Sequence, residues 1–178
     1  NIDITKFFHF VKANKLHFYY AMIHASTYTA NRIVNFRYRI KDDKVVVHEK
    51  THPCFTAMDN GSNLFKKVVV EMKDNMAEFT KHAMEKTTGQ REYFNIKELS
   101  ARDDLVELTC TPWVAFTYIS HTISPDKNES TPKLSWGKYF RENDRILLPY
   151  SVQVHHSLAD GVHIGEFFTK LQHHIDHL

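Results

Sequence analysis

Glycine and proline are scarce in this chain, with five of each in 178 residues. No GxGxxG stretch and no Walker A loop occurs, which excludes the glycine-rich phosphate cradles of dinucleotide- and nucleotide-binding proteins. No repeat, low-complexity tract or linker-like run interrupts the sequence. No apolar run approaches the length of a membrane span, and no signal-peptide pattern is visible, so no membrane partner is expected. Charge of one sign is missing too. The 23 Lys and Arg nearly balance 21 Asp and Glu, leaving a net charge of +2 and no basic stripe, so nucleic acid is not an expected partner. Only two cysteines occur, Cys54 and Cys110, both in apolar, strand-like surroundings. They read as unpaired buried thiols of a reducing compartment, which points to the cytoplasm.

What remains is ordinary globular material. Hydrophobic residues make up 42% and charged residues 25%. The length suits a single domain over residues 1–178 with a sizeable core. Aromatic residues reach 13%, with 13 Phe and 8 Tyr, so core and pockets are expected to be aromatic-rich.

Periodicity then assigns the elements. Thr5 to Ala13 reads as a short helix with Asp3 as its N-cap. Leu16 to Arg32 reads as a second helix, with Tyr19, Met22, Ile23 and Thr29 on a mainly apolar stripe. Asn35 to Ile40 and Lys44 to Glu49 form a hairpin around Lys41-Asp42-Asp43. Cys54 to Met58 is a strand ended by Asn60-Gly61-Ser62. Asn63 to about Glu85 reads as one long amphipathic helix, from the spacing of Leu64, Phe65, Val68, Val69, Met72, Met76 and Phe79. Leu105 to Cys110 and Trp113 to His121 read as strands interrupted by Pro112. Ser124 to Lys133 is a loop, and Leu134 to Phe140 is strand-like. Arg145 to His156 is a long strand bent at Pro149, and Val162 to Leu178 is a helix. This order predicts an α+β fold, a two-layer sandwich of a mainly antiparallel sheet covered by helices.

The chemistry concentrates in Val152-Gln153-Val154-His155-His156-Ser157-Leu158-Ala159-Asp160-Gly161. Alternation along the strand puts Val152, Val154 and His156 on one face and Ser151, Gln153 and His155 on the other. Histidine is the natural base near neutral pH. Asp160 can brace the following loop, and Gly161 permits a sharp turn there. A pair of adjacent histidines among 13 means little by itself, and His173-His174 reads as such a chance pair. The full HHxxxDG pattern between a strand and a helix means much more.

HHSLADGVH resembles the signature of the chloramphenicol acetyltransferase family, within the larger group of CoA-dependent acyltransferases that share HxxxDG. The likeness extends to Phe18-Tyr19, His52-Pro53-Cys54-Phe55-Thr56, Pro112-Trp113-Val114, Gly137-Lys138-Tyr139 and Leu148-Pro149-Tyr150-Ser151-Val152-Gln153-Val154. It covers nearly the whole chain, from Asp3 to the last helix. It implies acetyl-CoA as co-substrate, a small-molecule hydroxyl acceptor such as chloramphenicol, and no metal. His156 would be the general base, His155 a structural residue, and Thr109 the oxyanion donor in place of the family's serine. Asp160 would match a structural aspartate. The resemblance pairs that aspartate with an arginine from a further N-terminal segment, before the point that matches Asn1. Ser135 would match a hydroxyl that holds the transition state through water. Lys138 and Tyr139 would lie near the CoA tunnel, and Tyr19, Thr56 and Phe94 would line the acceptor pocket or tunnel. The family resemblance also implies a homotrimer with active sites between subunits.

Several positions depart from the family pattern. Cys54 stands for a usual glutamine, Ile119 for an aromatic residue, and His121 for a leucine of the acceptor pocket. The usual Phe-Ala-Pro turn is missing from Ser124 to Lys133. These changes leave the transfer chemistry intact and bear on the acceptor. Two rival readings stay open: a related acyltransferase with another small acceptor, and a non-catalytic module that keeps the fold. A metal protein is the third alternative, since His155, His156, His163, His173, His174 and His177 are potential ligands. Without CxxC or HExxH it is not the expected reading.

Overall fold

In the computed structural model, residues 1–58, 63–122 and 125–178 are described. The centre is a five-stranded sheet in the order β10-β7-β6-β4-β5. Its strands are β4 (His52–Met58), β5 (Phe65–Val69), β6 (Leu105–Thr111), β7 (Lys133–Gly137) and β10 (Tyr150–Gln153). The outer pairings, β10 with β7 and β4 with β5, run antiparallel. The two central ones, β4 with β6 and β6 with β7, run parallel. The α+β layout is therefore as predicted, but the main sheet is mixed.

Register gives its two faces opposite characters. One row across the sheet reads Val68, Phe55, Leu108, Leu134 and Val152. These residues join Trp136 and Tyr150 in the main core. They pack with Met22 and Ile23 of α2 (Phe18–Asn31), Phe79 of α3 (Met76–Gly89), and Phe167 and Leu171 of α5 (Gly161–Asp176). One residue along each strand the row becomes Lys67, Thr56, Thr109, Ser135 and Ser151. Alternation puts these polar residues on the face turned away from that core.

Helix α2 lies between the sheet and α3 and α5, and ten of its residues are buried. Its predicted apolar stripe thus widens to nearly the whole circumference. Ala21, Ala25 and Ala30 allow close approach, and the buried hydroxyls are satisfied internally. Thr27 and Thr29 donate to the carbonyls of Ile23 and Ala25, and Tyr150 donates to Ser26 Oγ at 2.7 Å.

Helix α1 (Thr5–Ala13) is as predicted, but Asp3 is not its N-cap. Ile4 holds that position, while the Asp3 carboxylate accepts from the Thr5 amide at 2.9 Å and from its hydroxyl. The hairpin is β2 (Tyr38–Lys41) with β3 (Lys44–Val47). Asp42 and Asp43 have φ of 49° and 57°, the double left-handed turn that matches the twist of a two-residue hairpin. Val34–Arg37 forms a 3₁₀ turn, so the first strand starts later than Asn35.

The predicted Asn63–Glu85 helix is replaced by two elements, β5 and α3. The Val68-Val69-Val70 run favours strand pairing, which β4 supplies. Asn75 then caps α3 by accepting from the Glu78 amide at 2.9 Å. Helix α3 runs past the predicted end at about Glu85 to Gly89, and a short helix α4 (Ile96–Ser100) follows. Trp113 to His121 is irregular rather than a strand. The predicted break at Asn60-Gly61-Ser62, and Ser124 at the head of the predicted loop, lie outside the described residues.

Predicted strand Leu134–Phe140 divides as well. Its second part is β8 (Phe140–Glu142), in a separate sheet β1-β9-β8 with β1 (Ile2–Asp3) and β9 (Arg145–Leu148). Pro149 separates β9 from β10, so the predicted bend becomes a change of sheet. Cys54 and Cys110 are free thiols; burial raises the first to about 11 and the second to about 12, which keeps both protonated near neutral pH. Among the described residues no helix is long and apolar enough to cross a membrane.

Where α2 meets α5, Tyr28 stacks on His24 and His174, with ring centroids at 5.9 and 4.5 Å. Burial, then His24 and Arg32, lowers His174 from 6.5 to about 4. Burial also lowers His24. Between pH 6.5 and 4 the unfolded chain therefore binds more protons than the folded one. Stability must fall as pH drops through that window and recover as pH rises. Thermal denaturation at stepped pH is expected to show this acid slope, and His174→Phe is expected to flatten it.

Candidate active site

A cleft of about 900 Å³ opens where the first turn of α2 meets the ends of β4, β6 and β7. Tyr19, Thr56, Thr109, Lys138 and Tyr139 line it, together with His17, Trp113, Trp136, Lys66, Thr87 and Thr88. Its polar element is a set of three hydroxyls, of which two bond each other. Tyr19 donates to the Thr56 carbonyl, and Thr56 Oγ1 lies 3.1 Å from Thr109 Oγ1. Burial raises the Tyr19 phenol, so it stays a neutral donor. Trp136 and Phe55 pack on the Tyr19 ring and fix its direction.

Gly137 ends β7 at the cleft wall. A Cβ there would sit 2.6 Å from the Val114 carbonyl oxygen and 2.9 Å from the Phe116 ring. The turn carrying Trp113 passes so close because glycine leaves that space, and the Lys138 amide bonds Val114 O at 2.8 Å. Gly137→Ala is expected to destabilise by about 1–3 kcal/mol through overpacking, read as a lower Tm. It should also shift Trp113 and weaken cleft ligands.

Ser135 does not line this cleft. It is Thr109's neighbour in register on β7 and is fully buried. His121 covers it, with Nε2 at 2.5 Å from Ser135 Oγ, and the His121 amide donates to Gln153 Oε1 at 3.2 Å. Burial, then Lys133, lowers the His121 pKa and favours the neutral imidazole. One row away on the same face, Glu107 pairs with Lys67 and, at 3.6 Å, with Lys133. Burial pushes the Glu107 carboxyl up, but the two lysines outweigh it and hold it below its ordinary value. Phe94 is also outside the cleft and packs edge-on against Phe65 at 5.7 Å.

His156 and Asp160 are not brought to the cleft of their own chain. Strand β10 stops at Gln153, so alternation does not reach the histidine pair. His156 stands on a turn with its side chain 93% exposed, and its Nδ1 lies 3.2 Å from Asp160 Oδ1. The loop itself is held firmly. Leu158 and Ala159 are buried, and Asn35 Nδ2 donates to Leu158 O at 2.7 Å. Asp160 is the N-cap of α5, and its amide donates to His163 Nδ1 at 2.9 Å. Its side chain is 64% exposed. Gly161 opens α5 without a positive φ and with open space at its Cβ position, so no sharp turn depends on it. His155 accepts from the Ser157 amide at 3.3 Å, a local structural role. Among the described residues no three His, Cys, Asp or Glu side chains gather as a metal site.

Sequence reasoning missed Trp113, Trp136, Lys66, Thr87 and Thr88 as cleft residues. Trp113 had a signal in the Pro112-Trp113 pair. The two threonines lie beyond the predicted helix end at about Glu85, in the last turn of α3.

The sequence profile described as chloramphenicol acetyltransferase matches residues 1–172. A chloramphenicol acetyltransferase from Klebsiella sp is 30% identical over 175 residues, 98% of this chain and 80% of that protein. One from Clostridium perfringens is 29% identical, covering 97% and 80%. A solved chloramphenicol acetyltransferase superposes with a TM-score of 0.87 at 24% identity, over 98% of this chain and 85% of the other. The dihydrolipoamide acetyltransferase of Azotobacter vinelandii has the same fold, with a TM-score of 0.76 at 16% identity over 99% and 79%. Matched by the family profile over nearly its whole length, this chain belongs to the chloramphenicol acetyltransferase family.

Proposed function

We propose that this protein transfers the acetyl group of acetyl-CoA directly to a hydroxyl of chloramphenicol, with His156 as general base. The family match over residues 1–172, which includes His156, carries this reading. The local geometry supports it: Asp160 can hold the proton on His156 Nδ1 and leave Nε2 as the basic nitrogen. His156 Nε2 takes the proton of the acceptor hydroxyl, and the oxygen attacks the thioester carbonyl carbon. The new C–O bond gives a tetrahedral oxyanion, to which Thr109 donates. Collapse breaks the C–S bond, and the departing thiolate takes the proton back from His156.

An exposed base and a hydroxyl-lined cleft in different parts of one chain fit a site shared between subunits. The proposed assembly is a homotrimer in which the cleft with Thr109 faces His156 of the partner subunit. Lys138 and Tyr139 at the cleft rim would contact CoA. Tyr19 and Thr56 would shape the pocket, and Phe94, Ser135 and His121 would act from its edges. CoA release from acetyl-CoA, followed with a thiol-reactive dye and chloramphenicol as acceptor, tests the reading. Chloramphenicol-dependent turnover supports it. Stabilisation by CoA without such turnover would move the same chemistry to another hydroxyl acceptor.

A further inference from the structure

We infer that His121 and Ser135 work as one positioning unit that fixes the polar surroundings of Thr109. The assignment rests on the acetyl transfer proposed above. Ser135 sits one strand from Thr109, in register and on the same face, at a neighbouring-strand spacing of about 4.8 Å. Its hydroxyl is fully buried, so it cannot itself meet a substrate in this chain. The group that buries and engages it is the His121 imidazole, at 2.5 Å. Gln153 of β10 holds the His121 backbone at 3.2 Å, so the imidazole enters from an anchored segment.

An oxyanion donor is most effective when the dipoles beside it are already oriented and water is kept from rearranging them. In the row Thr56, Thr109 and Ser135, the first two hydroxyls bond each other at 3.1 Å. The third would be a free rotor if His121 were absent. With Nε2 unprotonated, the Ser135 O–H donates to it and has one fixed direction beside Thr109, and the buried oxygen is shielded from solvent. The unit therefore uses the neutral imidazole tautomer that carries its proton on Nδ1. His121 thus acts through Ser135 on Thr109 and is a positioning residue.

The test is a double-mutant cycle on chloramphenicol acetylation. His121→Leu and Ser135→Ala are each expected to lower kcat roughly tenfold, less than loss of a direct oxyanion donor, with little change in either KM. The double variant is expected to lose no more than either single one, because both break the same pair. His121→Gln, whose amide offers both a donor and an acceptor, is expected to stay within about threefold of the parent. Multiplying losses in the double variant, a raised acceptor KM at unchanged kcat, or a glutamine variant no better than leucine would each overturn the assignment. If His121→Leu does not fold, the cycle is run with His121→Ala, and the glutamine rescue stands by itself. No turnover in the parent protein would overturn the proposed function and this unit with it, whereas turnover with multiplying losses overturns the unit alone.

Discussion

Replacing His156 with alanine is expected to lower kcat by about 10²- to 10⁴-fold while leaving CoA binding near its original strength. The size follows from the task. In the proposed reaction a thioester is attacked by an alcohol whose proton must leave as the C–O bond forms, and His156 is the group proposed to take it. The fold should not suffer. The side chain is 93% exposed and contributes no core contact, and its loop is secured by Leu158, Ala159 and Asn35 instead. The loss should therefore appear in kcat with an unchanged Tm, and CoA should still stabilise the variant in a thermal-shift assay. Asp160→Asn gives the necessary contrast. Asparagine still caps α5, but it no longer places a charge beside His156 Nδ1, so its effect should be smaller and confined to turnover. Near-normal kcat in His156→Ala would remove the general base from the mechanism.

The sequence made the transfer motif legible because it is local. His156, Asp160 and Gly161 fall within one strand-to-helix turn, and the following helix is strongly periodic. Thr109 was reached only through the family resemblance; alternation turns Val106 and Leu108 into the core and Thr109 to the other face, but gives it no role. Two misreadings have a common physical origin in tertiary pairing. Phe65, Val68, Val69, Met72, Met76 and Phe79 sit at helical spacing, yet the first three lie on a strand because β4 offers it a partner edge. The contrary signals were the valine run and the Asn75–Glu78 cap. Trp113, Val114 and Tyr118 suggested a strand through their size and shape, but they are 67%, 54% and 81% exposed on an irregular segment. Propensity scales read such residues as core, and here they are surface. The separation of His156 from the cleft could not be read from the residues alone, because it depends on how the whole sheet presents its edges; only the family resemblance, with sites between subunits, implied it. The Ser135–His121 contact, across 14 residues and an irregular segment, was equally out of reach.

Thr109→Ala is expected to cost about 10²- to 10³-fold in kcat, with KM for acetyl-CoA and chloramphenicol little changed, because the oxyanion exists only in the transition state. The hydroxyl lines the cleft 3.1 Å from Thr56 Oγ1, and when Thr56 is the donor of that pair the Thr109 proton is left for the oxyanion. Thr109→Ser separates the hydroxyl from the methyl. It should keep most of the activity, while Thr109→Val, which keeps the shape and loses the donor, should behave like alanine. The same pair of residues tests the assembly. If each site combines Thr109 of one subunit with His156 of the partner subunit, a trimer built from inactive His156→Ala and Thr109→Ala chains contains intact sites. Each interface in a random mixture is whole when an unaltered His156 meets an unaltered Thr109, so co-refolding the two should restore about a quarter of the parent turnover. Sites contained within one chain would restore none, since every chain in the mixture carries one of the two lesions. Recovery of activity would thus explain how a base open to solvent and outside the cleft of its own chain can belong to an active site.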